Sequence, residues 1–428
     1  MDTIVINELF SAIFNVLYFG IILATIFIVI LDNRNPVKTM AWILVLFFLP
    51  IIGLVFYFFF GQNTRKERLI SRKGYSRLNK RPIAEYEAQE HLREQASTSR
   101  LMSFFARVNS AWVFEGNTVD IYTDGYSMLQ ALMHDISLAK HHIHLQFYIF
   151  EDDAVGRLLR DLLIDKARQG VKIRLLYDDV GCWRVDPMFY DQMMCEGIEV
   201  QSFLKVRFPR FTSKVNYRNH RKITIIDGRV GFIGGMNIAE RYIKGVSWGI
   251  WRDTHVRIEG KAVYGLQSSF LTDWYVVERT LLTSAEYYPK LSAYGSTIAQ
   301  VVTSDPVGEW HDLMQGLMKA VCSAKHYFYV ETPYFLPTEE VMTAFQIAAL
   351  GGVDVRIMLP KRADTFLTHM GSLSYLDELM KAGVKIYLYR KGFLHSKLWV
   401  SDDEFASVGS TNMDFRSFEH NFEANVFF

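Results

Sequence analysis

The chain carries one set of functional residue types twice, at identical spacing, and this repetition constrains its fold more than any other feature. Each copy has a histidine, a lysine two residues later, an aspartate seven residues after the histidine and an asparagine seventeen residues after it. A repeat this long exceeds the period of solenoid proteins and predicts a duplicated domain. The two sets are His220, Lys222, Asp227 and Asn237, and His395, Lys397, Asp402 and Asn412.

The segments around the two sets also resemble one another. Residues 139–150 align with residues 324–335, and residues 170–176 align with residues 352–358. In both copies short β-branched runs alternate with helix-like stretches, which is typical of an α/β sheet covered by helices. We therefore predict two tandem α/β domains related by pseudo-twofold symmetry. Their predicted bounds are residues 111–298 and residues 299–428.

Two long apolar stretches precede these domains. Residues 9–31 and residues 40–60 contain no charged side chain. A helix needs roughly 20 such residues to cross the hydrocarbon of a bilayer. We predict a membrane anchor over residues 1–62, with two transmembrane helices at about these positions, the second kinked at Pro50. The alternative is a buried helical hairpin in a soluble protein.

The segment after the second apolar stretch is strongly basic and predicts the orientation of the anchor. Basic segments next to a membrane span remain in the cytoplasm. The predicted juxtamembrane linker covers residues 63–110, and the sequence therefore favours a multi-pass cell-membrane protein whose two C-terminal domains are cytoplasmic. Its cations also attract anionic lipid headgroups. They are Arg65, Lys66, Arg68, Arg72, Lys73, Arg77, Lys80 and Arg81.

The overall composition excludes several other classes of protein. The 47 Lys and Arg residues balance 46 Asp and Glu residues, for a net charge of +1. A dedicated nucleic-acid binder normally carries a clear basic excess, so no nucleic-acid partner is predicted. The three cysteines, Cys182, Cys195 and Cys322, lack the spacing of a metal site. No disulfide framework, metal centre or cofactor is predicted.

The repeated motif suggests chemistry on a phosphate group. Residues two apart in an extended strand face the same side, so each histidine projects together with its lysine. Two imidazoles, two ammonium groups and the amides of Asn237 and Asn412 would then surround one anionic group. One histidine could attack phosphorus while the other protonates the leaving oxygen, and the lysines would stabilise the charge on the remaining oxygens. The predicted catalytic residues are His220, Lys222, Asp227, His395, Lys397 and Asp402, although both aspartates also fit a role in fixing the loop behind the motif.

A nucleophilic histidine needs an acceptor on its other ring nitrogen. Asp253 and Glu423 lie at comparable distances downstream of His220 and His395, and are the predicted orienting residues. Gly235 and Ser410 precede the asparagines by two residues and are predicted to contact the substrate, Gly235 through a tight backbone turn.

The doubled pattern resembles the phospholipase D superfamily. The two apolar stretches, residues 331–335 and residues 412–418 are similar to the bacterial cardiolipin synthase family, and the similarity covers almost the whole chain. The resemblance implies a mixed sheet flanked by helices in each domain. It also implies phosphatidyl transfer between two molecules of an anionic lipid, phosphatidylglycerol, giving cardiolipin and glycerol through a phosphohistidine. In this resemblance His220 is the nucleophile and His395 the acid.

Other functions remain open at this point. Water or another alcohol could resolve the phosphohistidine, which would make the protein a phospholipase D-type hydrolase or a different phosphatidyltransferase. A nuclease is chemically feasible, and a non-catalytic membrane scaffold would require a broken motif. The sequence leaves open the acyl-chain preference, regulation and oligomeric state, including a homo-oligomer. It also leaves open whether the chain, which ends five residues after Glu423, is naturally short or truncated.

Overall fold

The computed structural model describes residues 2–32, 36–57, 61, 99–206 and 217–428. The basic cluster between residues 65 and 81, on which the predicted orientation depends, lies outside these described residues. The chain divides into two compact units, one with the N-terminal helices and one with the repeated body. Each unit is described by itself.

The N-terminal unit is helical. Helix α1 covers Asp2–Asp32, α2 covers Pro36–Phe48 and α3 covers Pro50–Phe56. Leu49 separates α2 from α3 with an extended φ of −133°, and proline occupies the first position of α3, where its missing N–H is tolerated. Many apolar side chains of this unit are exposed, including Val16, Leu23 and Phe47.

The second predicted transmembrane helix, residues 40–60, differs from the observed structure. The proline that we expected to kink one helix instead separates two, of 13 and 7 residues. Among the residues that the structure describes, no helix satisfies the combined length and hydropathy needed to cross a membrane.

The body begins with α4, Arg100–Val108, which starts at the capping hydroxyl of Ser99. Its Phe105 is fully buried in the core of the second repeat, 4.6 Å between ring centroids from Phe427. The linker predicted for residues 63–110 therefore ends before this helix. The apolar residues Leu101, Met102 and Phe105 recur at helical spacing, and this was the available signal for a packed helix.

The first repeat is an α/β unit in which three of the helices begin at aspartate caps. Asp124, Asp153 and Asp186 each accept a backbone N–H in the first turn of a helix. Its elements are β1 Val113–Tyr122, α5 Gly125–Ser137, β2 His142–Phe147, α6 Ala154–Arg168, β3 Lys172–Asp178, α7 Pro187–Cys195, β4 Glu199–Phe203, β5 Arg218–Asn219, β6 Ile223–Ile226, β7 Val230–Gly234, α8 Arg241–Lys244, β8 Ile250–Arg252, β9 His255–Glu259 and α9 Val263–Glu278.

The second repeat has the same order of strands, with small additions. Its elements are β10 Thr297–Ser304, α10 Asp312–Ser323, β11 Tyr327–Glu331, β12 Phe335–Leu336, α11 Glu339–Leu350, β13 Asp354–Pro360, α12 Phe366–Ser374, α13 Leu376–Lys381, β14 Lys385–Tyr389, β15 Gly392–Leu394, β16 Leu398–Ser401, β17 Phe405–Gly409, β18 Met413–Asp414, α14 Phe415–Glu419 and β19 Asn421–Phe427.

The two repeats form one continuous mixed sheet. Its order is β14-β13-β11-β16-β17-β19-β10-β1-β9-β7-β6-β2-β3-β4, with β5 paired to β19. The order reads the same from either end once corresponding strands are matched, and its centre is the antiparallel pair β1 and β10, where Val113 lies opposite Gln300. Parallel strands lie at both outer ends, and antiparallel strands carry the motifs. This palindromic order is the pseudo-twofold relation that the duplicated motif predicts.

Helices bury apolar faces against the sheet in both repeats. In the first, Leu159 and Leu163 of α6 pack with Ile143 and Leu145 of β2, and all four side chains are fully buried. In the second, the corresponding helix and strand contribute Phe345 and Phe328. Burying such a side chain stabilises the fold by about 1.5–3 kcal/mol, so the motif strands lie on a rigid support.

Candidate active site

Each His-Lys pair lies in an extended connection between two strands. His220 and Lys222 lie between β5 and β6, and His395 and Lys397 lie between β15 and β16. The ammonium group of each lysine donates to the backbone carbonyl of its own histidine, at 2.5 Å in both repeats. Both lysines are essentially buried, whereas each histidine keeps a small exposed fraction. A substrate can therefore reach the imidazoles while the ammonium groups remain shielded from water.

The two carboxylates that orient the histidines are exchanged between the repeats. The Nδ1 atom of His220 lies 3.1 Å from both carboxylate oxygens of Glu423, in the second repeat. The Nδ1 atom of His395 lies 2.6 Å from Oδ2 of Asp253, in the first repeat. Both carboxylates chosen by downstream spacing lie against the motif histidines. That spacing paired each with the histidine of its own repeat, whereas in the structure each contacts the histidine of the opposite repeat. Because each histidine depends on the opposite repeat, the two halves build a single site.

Strand pairing between the repeats explains the exchange. β5, which leads into His220, pairs with β19, and the backbone N–H of His220 donates to the carbonyl of Phe422. β15, which leads into His395, pairs with β8, and the N–H of His395 donates to the carbonyl of Arg252. The backbone of each histidine is therefore bonded to the residue that directly precedes the carboxylate of the opposite repeat.

Glu423 is held as a carboxylate by the groups around it. It is fully buried and accepts hydrogen bonds from the Ser410 hydroxyl and, at 3.2 Å, from the Asn421 amide. Burial alone would raise its pKa, but the charge and hydrogen bond of His220, the charge of Lys222 and the Ser410 hydroxyl outweigh it, and the pKa of Glu423 is lowered. Ser410, which we predicted to contact substrate, acts here on Glu423.

Asp253 is the more basic of the two carboxylates. Burial raises its pKa to about 6, although the charge of Lys397 and the backbone N–H of Thr254 oppose the shift. A Cβ atom at Gly235 would lie 2.1 Å from Oδ1 of Asp253. Gly235 was predicted to contact substrate through a backbone turn, and in the structure it leaves the space that this carboxylate occupies.

The four motif side chains influence one another across the two repeats. Burial lowers the pKa of Lys222 to about 7 and that of Lys397 to about 8, despite the nearby carboxylates. Burial also lowers the pKa of both histidines, and the lysine of the opposite repeat lowers it further. Such cross-repeat effects require short separations in a poorly solvated cleft. The cleft concentrates positive charge and neutral imidazole, which suits a phosphodiester anion.

The two motif asparagines have different environments. The amide of Asn237 is engaged at both ends, because Oδ1 accepts from the N–H of Ile149 at 3.0 Å and Nδ2 donates to the Tyr242 hydroxyl at 2.7 Å. The buried Oδ1 atom of Asn412 has no hydrogen-bond partner. The two asparagines therefore do not form the predicted symmetric pair of phosphate donors: the donor group of Asn237 is engaged by Tyr242, and the unpartnered atom of Asn412 is an acceptor.

The motif aspartates lie at the far end of the motif strands, away from the histidines. Asp227 accepts hydrogen bonds from the backbone N–H groups of residues 140, 141 and 142, at 2.8, 2.8 and 3.0 Å. Asp402 does the same for residues 325, 326 and 327. Both have a positive φ of 53° in the hairpin turn, a conformation that aspartate tolerates better than most residues. The structure supports the loop-fixing interpretation and does not bring these aspartates to the reacting groups.

The variant Asp227→Ala is expected to lower the free energy of unfolding by about 1–3 kcal/mol, because three backbone N–H groups lose a charged acceptor. Denaturant unfolding of the purified protein measures this loss. Asp227→Asn keeps one acceptor oxygen and should lose less. The kcat of folded Asp227→Ala should stay within about threefold of the parent, and a loss as large as that from a motif histidine would instead place Asp227 in the chemistry.

An aromatic ring lies beside each of the two motif histidines. The Tyr148 ring lies 5.0 Å from the His220 ring, and the Trp251 ring lies 5.4 Å from the His395 ring. Tyr148 directly follows β2, and its position at the end of a strand that occurs in both repeats was the signal that could have placed it at the site. Such rings restrict the motion of the imidazoles and exclude water.

Arg221, between the first histidine and lysine, anchors the motif from behind. Its guanidinium donates to Asp273 at 2.6 Å and to the backbone carbonyls of Glu423 and Ser304, both at 3.1 Å. The corresponding residue of the second motif is Ser396, whose hydroxyl accepts from the Thr254 hydroxyl at 3.0 Å. In both motifs the residue that points away from the cleft contacts the opposite repeat.

Metal-binding side chains are not grouped in the described part of the chain: no three or more His, Cys, Asp and Glu side chains there could hold a metal ion.

Comparison with known protein families gives two matches. The family model described as cardiolipin synthase, PLD-like domain matches residues 132–274 and 317–428, which include both motifs. A model described as phospholipase D-nuclease N-terminal matches residues 20–62.

Curated proteins are similar over nearly the whole chain. The chain is 39% identical to the major cardiolipin synthase ClsA of Bacillus subtilis (strain 168) over 417 residues, which cover 95% of this chain and 86% of that protein. It is 41% identical to a cardiolipin synthase of Geobacillus sp. (strain WCH70) over 409 residues, covering 94% and 81%. Among solved structures, phosphatidylserine synthase of Haemophilus influenzae Rd KW20 matches with a TM-score of 0.57 at 13% identity, over 77% of this chain and 86% of that one. That similarity concerns the fold alone.

Proposed function

The chain belongs to the cardiolipin synthase family of the phospholipase D superfamily, and from this we propose that it transfers a phosphatidyl group between two phosphatidylglycerol molecules to give cardiolipin and glycerol. One observation carries the proposal: two His-Lys pairs, each held by a carboxylate of the opposite repeat, share one cleft. This arrangement offers a nucleophile, a proton donor and two cations to one phosphodiester.

In the first step, the free Nε2 atom of His220 attacks the phosphorus of the donor lipid. A bond from Nε2 to phosphorus forms, and the bond from phosphorus to the headgroup glycerol oxygen breaks. The pair of His395 and Asp253 supplies the proton that this oxygen needs to leave as glycerol. Glu423 supports the reaction because it accepts from Nδ1–H of His220 and stabilises the cation that forms on the ring.

In the second step, a hydroxyl of the second phosphatidylglycerol attacks the phosphohistidine. His395 takes the proton of that hydroxyl, the new oxygen–phosphorus bond forms and the bond to His220 breaks. The product is cardiolipin, and both histidines return to their starting states. Lys222 and Lys397 balance the negative charge on the non-bridging oxygens in both steps, and such placed donors contribute about 3–4 kcal/mol each.

The dependence of kcat/KM on pH is expected to be bell-shaped. Activity should rise as the nucleophile His220 loses its proton, at a pH below the usual histidine pKa because burial lowers the pKa of His220. It should fall as the pair of His395 and Asp253 loses the proton that it delivers and as Lys222 loses its own, since burial raises the pKa of Asp253 to about 6 and lowers that of Lys222 to about 7. A bound phosphodiester stabilises the ammonium form, so the alkaline limb of kcat should lie at higher pH than that of kcat/KM. An alkaline limb of kcat/KM near the usual lysine pKa, about 10, would contradict the assignment.

Mass spectrometry of the lipids made by purified protein from phosphatidylglycerol vesicles tests the function. Cardiolipin and glycerol in equal amounts are the expected products. Phosphatidic acid without cardiolipin would show that water resolves the phosphohistidine and that the protein is a hydrolase. The doubly substituted His220→Ala, His395→Ala protein is the control for contaminating activity.

The proposed attachment to the membrane involves the N-terminal unit. Its exposed apolar side chains, the match of residues 20–62 to an N-terminal family model and the basic residues that follow support a multi-pass membrane protein whose catalytic body faces the cytoplasm. Protease digestion of spheroplasts and of inverted vesicles tests this arrangement. The body should be cleaved only in the inverted vesicles, and cleavage in intact spheroplasts would reverse the orientation.

A further inference from the structure

Corresponding segments of the two repeats expose large apolar side chains. After β3, the connection to α7 exposes 74% of Trp183. After β13, the counterpart of β3, helix α12 exposes 76% of Phe366 and 81% of Leu367, and Met370 one turn later is half exposed. We call Trp183, Phe366, Leu367 and Met370 the apolar rim. A soluble surface rarely exposes such side chains in groups unless something covers them.

The first segment of the rim is attached to the His220 side of the cleft. Asp178, the last residue of β3, accepts from the backbone N–H of Asn219, next to His220. The thiol of Cys182, next to Trp183, contacts the carbonyl of Tyr148 at 3.6 Å, and the Tyr148 ring lies against that of His220. Trp183 is therefore held beside the entrance to the catalytic cleft.

The second segment is attached to the Lys397 side. Asp364, two residues before Phe366, accepts from the Tyr334 hydroxyl at 2.7 Å, and its charge acts on the pKa of Lys397. Ser372 of α12 accepts from the backbone N–H of Phe335 at 3.0 Å, which ties the helix to β12. The two segments thus border one cleft from opposite repeats.

Cations accompany the apolar side chains in both segments. Arg184 follows Trp183, and Lys361 and Arg362 precede α12; all three are exposed. The acids in these segments have other contacts: Asp364 accepts from the Tyr334 hydroxyl, and Asp186, two residues after Arg184, caps α7. Apolar side chains beside cations have the chemistry of a surface that enters the headgroup region of an anionic bilayer.

We propose that the apolar rim enters the surface of the anionic bilayer that carries the substrate, so that a lipid headgroup reaches the histidines while its acyl chains remain in the membrane. The identity of that lipid rests on the proposed function; contact between the rim and an anionic surface does not. The position of the rim beside histidines that suit a phosphodiester favours a phospholipid bilayer over a second copy of this chain, and the exposed Lys361 and Arg362 favour an anionic one.

Site-specific labelling measures this contact directly. The exposed thiols are first removed as Cys195→Ser and Cys322→Ser. Leu367→Cys, or Leu350→Cys as the matched control, is then labelled with an environment-sensitive fluorophore. Leu350 is 73% exposed, like Leu367. It is the last residue of α11 and precedes β13, whereas the rim segment follows β13. The full-length protein is reconstituted in vesicles of phosphatidylglycerol and phosphatidylcholine that contain brominated acyl chains.

The label at position 367 should be quenched several-fold more strongly than the label at position 350, and less strongly in vesicles of phosphatidylcholine alone. Equal quenching at both positions would overturn the proposal. The proposal would also be overturned if the label at position 367 were shielded from water in detergent, without lipid, and more so at higher protein concentration. A second copy of the chain would then cover the rim.

Kinetics separate lipid contact from support of the cleft. Phe366→Ser with Leu367→Ser should raise KM for phosphatidylglycerol in vesicles about tenfold, because the rim contributes binding energy only at a bilayer. The same variant should turn over a short-chain, monomeric phosphatidylglycerol at the rate of the parent. The control variant Ile347→Ser with Leu350→Ser should change neither the KM in vesicles nor the turnover of the short-chain lipid. An equal loss on both substrates would contradict the proposal. If the parent makes no cardiolipin but position 367 is still quenched, the proposed function fails and the lipid contact stands.

Discussion

His220→Ala is expected to abolish the covalent intermediate and to lower cardiolipin formation by about 10⁴-fold or more, because the nucleophile itself is removed. Single-turnover experiments with labelled phosphatidylglycerol measure the adduct, which should be stable in base and labile in acid, as a phosphorus–nitrogen bond requires. His134→Ala is a suitable control, since this histidine is exposed on α5 and belongs to neither motif.

His395→Ala distinguishes the two histidines. It should lose turnover to a similar extent, but it should still form the adduct slowly or retain it. A substrate with a p-nitrophenyl leaving group needs no proton, so it should restore the first step in His395→Ala and not in His220→Ala. If His220→Ala forms the adduct and His395→Ala does not, the two roles are exchanged.

Glu423→Gln is expected to lower kcat by about 10²–10⁴-fold with little change in fold, because an amide no longer stabilises the imidazolium and can force the wrong tautomer of His220. The defect should appear in the rate of adduct formation. Glu423 lies in the second repeat, yet its loss should resemble the loss of His220, since it contacts that histidine at 3.1 Å.

Asp253→Asn is the matched comparison. Asp253 contacts His395 at 2.6 Å, so its loss should impair proton transfer, and the p-nitrophenyl substrate should rescue it. Glu423→Gln should not be rescued. If the rescue followed the opposite pattern, each carboxylate would serve the histidine of its own repeat, and the exchanged pairing would be wrong.

Much of the fold follows from the duplicated motif. Equal spacing in the two copies predicts equivalent strands, and the palindromic strand order has this relation. The i and i+2 spacing also placed each lysine beside its histidine. Local patterns of this kind are visible because they depend on neighbours in the chain.

The remaining features depend on contacts between distant residues. The pairing of β5 with β19 and of β8 with β15 determines which carboxylate meets which histidine, and no spacing within one repeat encodes it. The contact of the Asn237 amide oxygen with the backbone N–H of Ile149, 88 residues earlier, was missed for the same reason. A motif identifies residue types, whereas their partners come from tertiary packing.

The exchanged carboxylates also determine how the protein responds to damage. A duplicated gene segment usually provides redundancy, since one copy can cover a defect in the other. Here the reverse holds: a lesion in either half removes a support from the histidine of its neighbour, so both halves fail together. The arrangement resembles a dimer in which each protomer contributes residues to the site of the other, here joined in one polypeptide. A substitution in one half is therefore acceptable only if the histidine of the other half keeps its support.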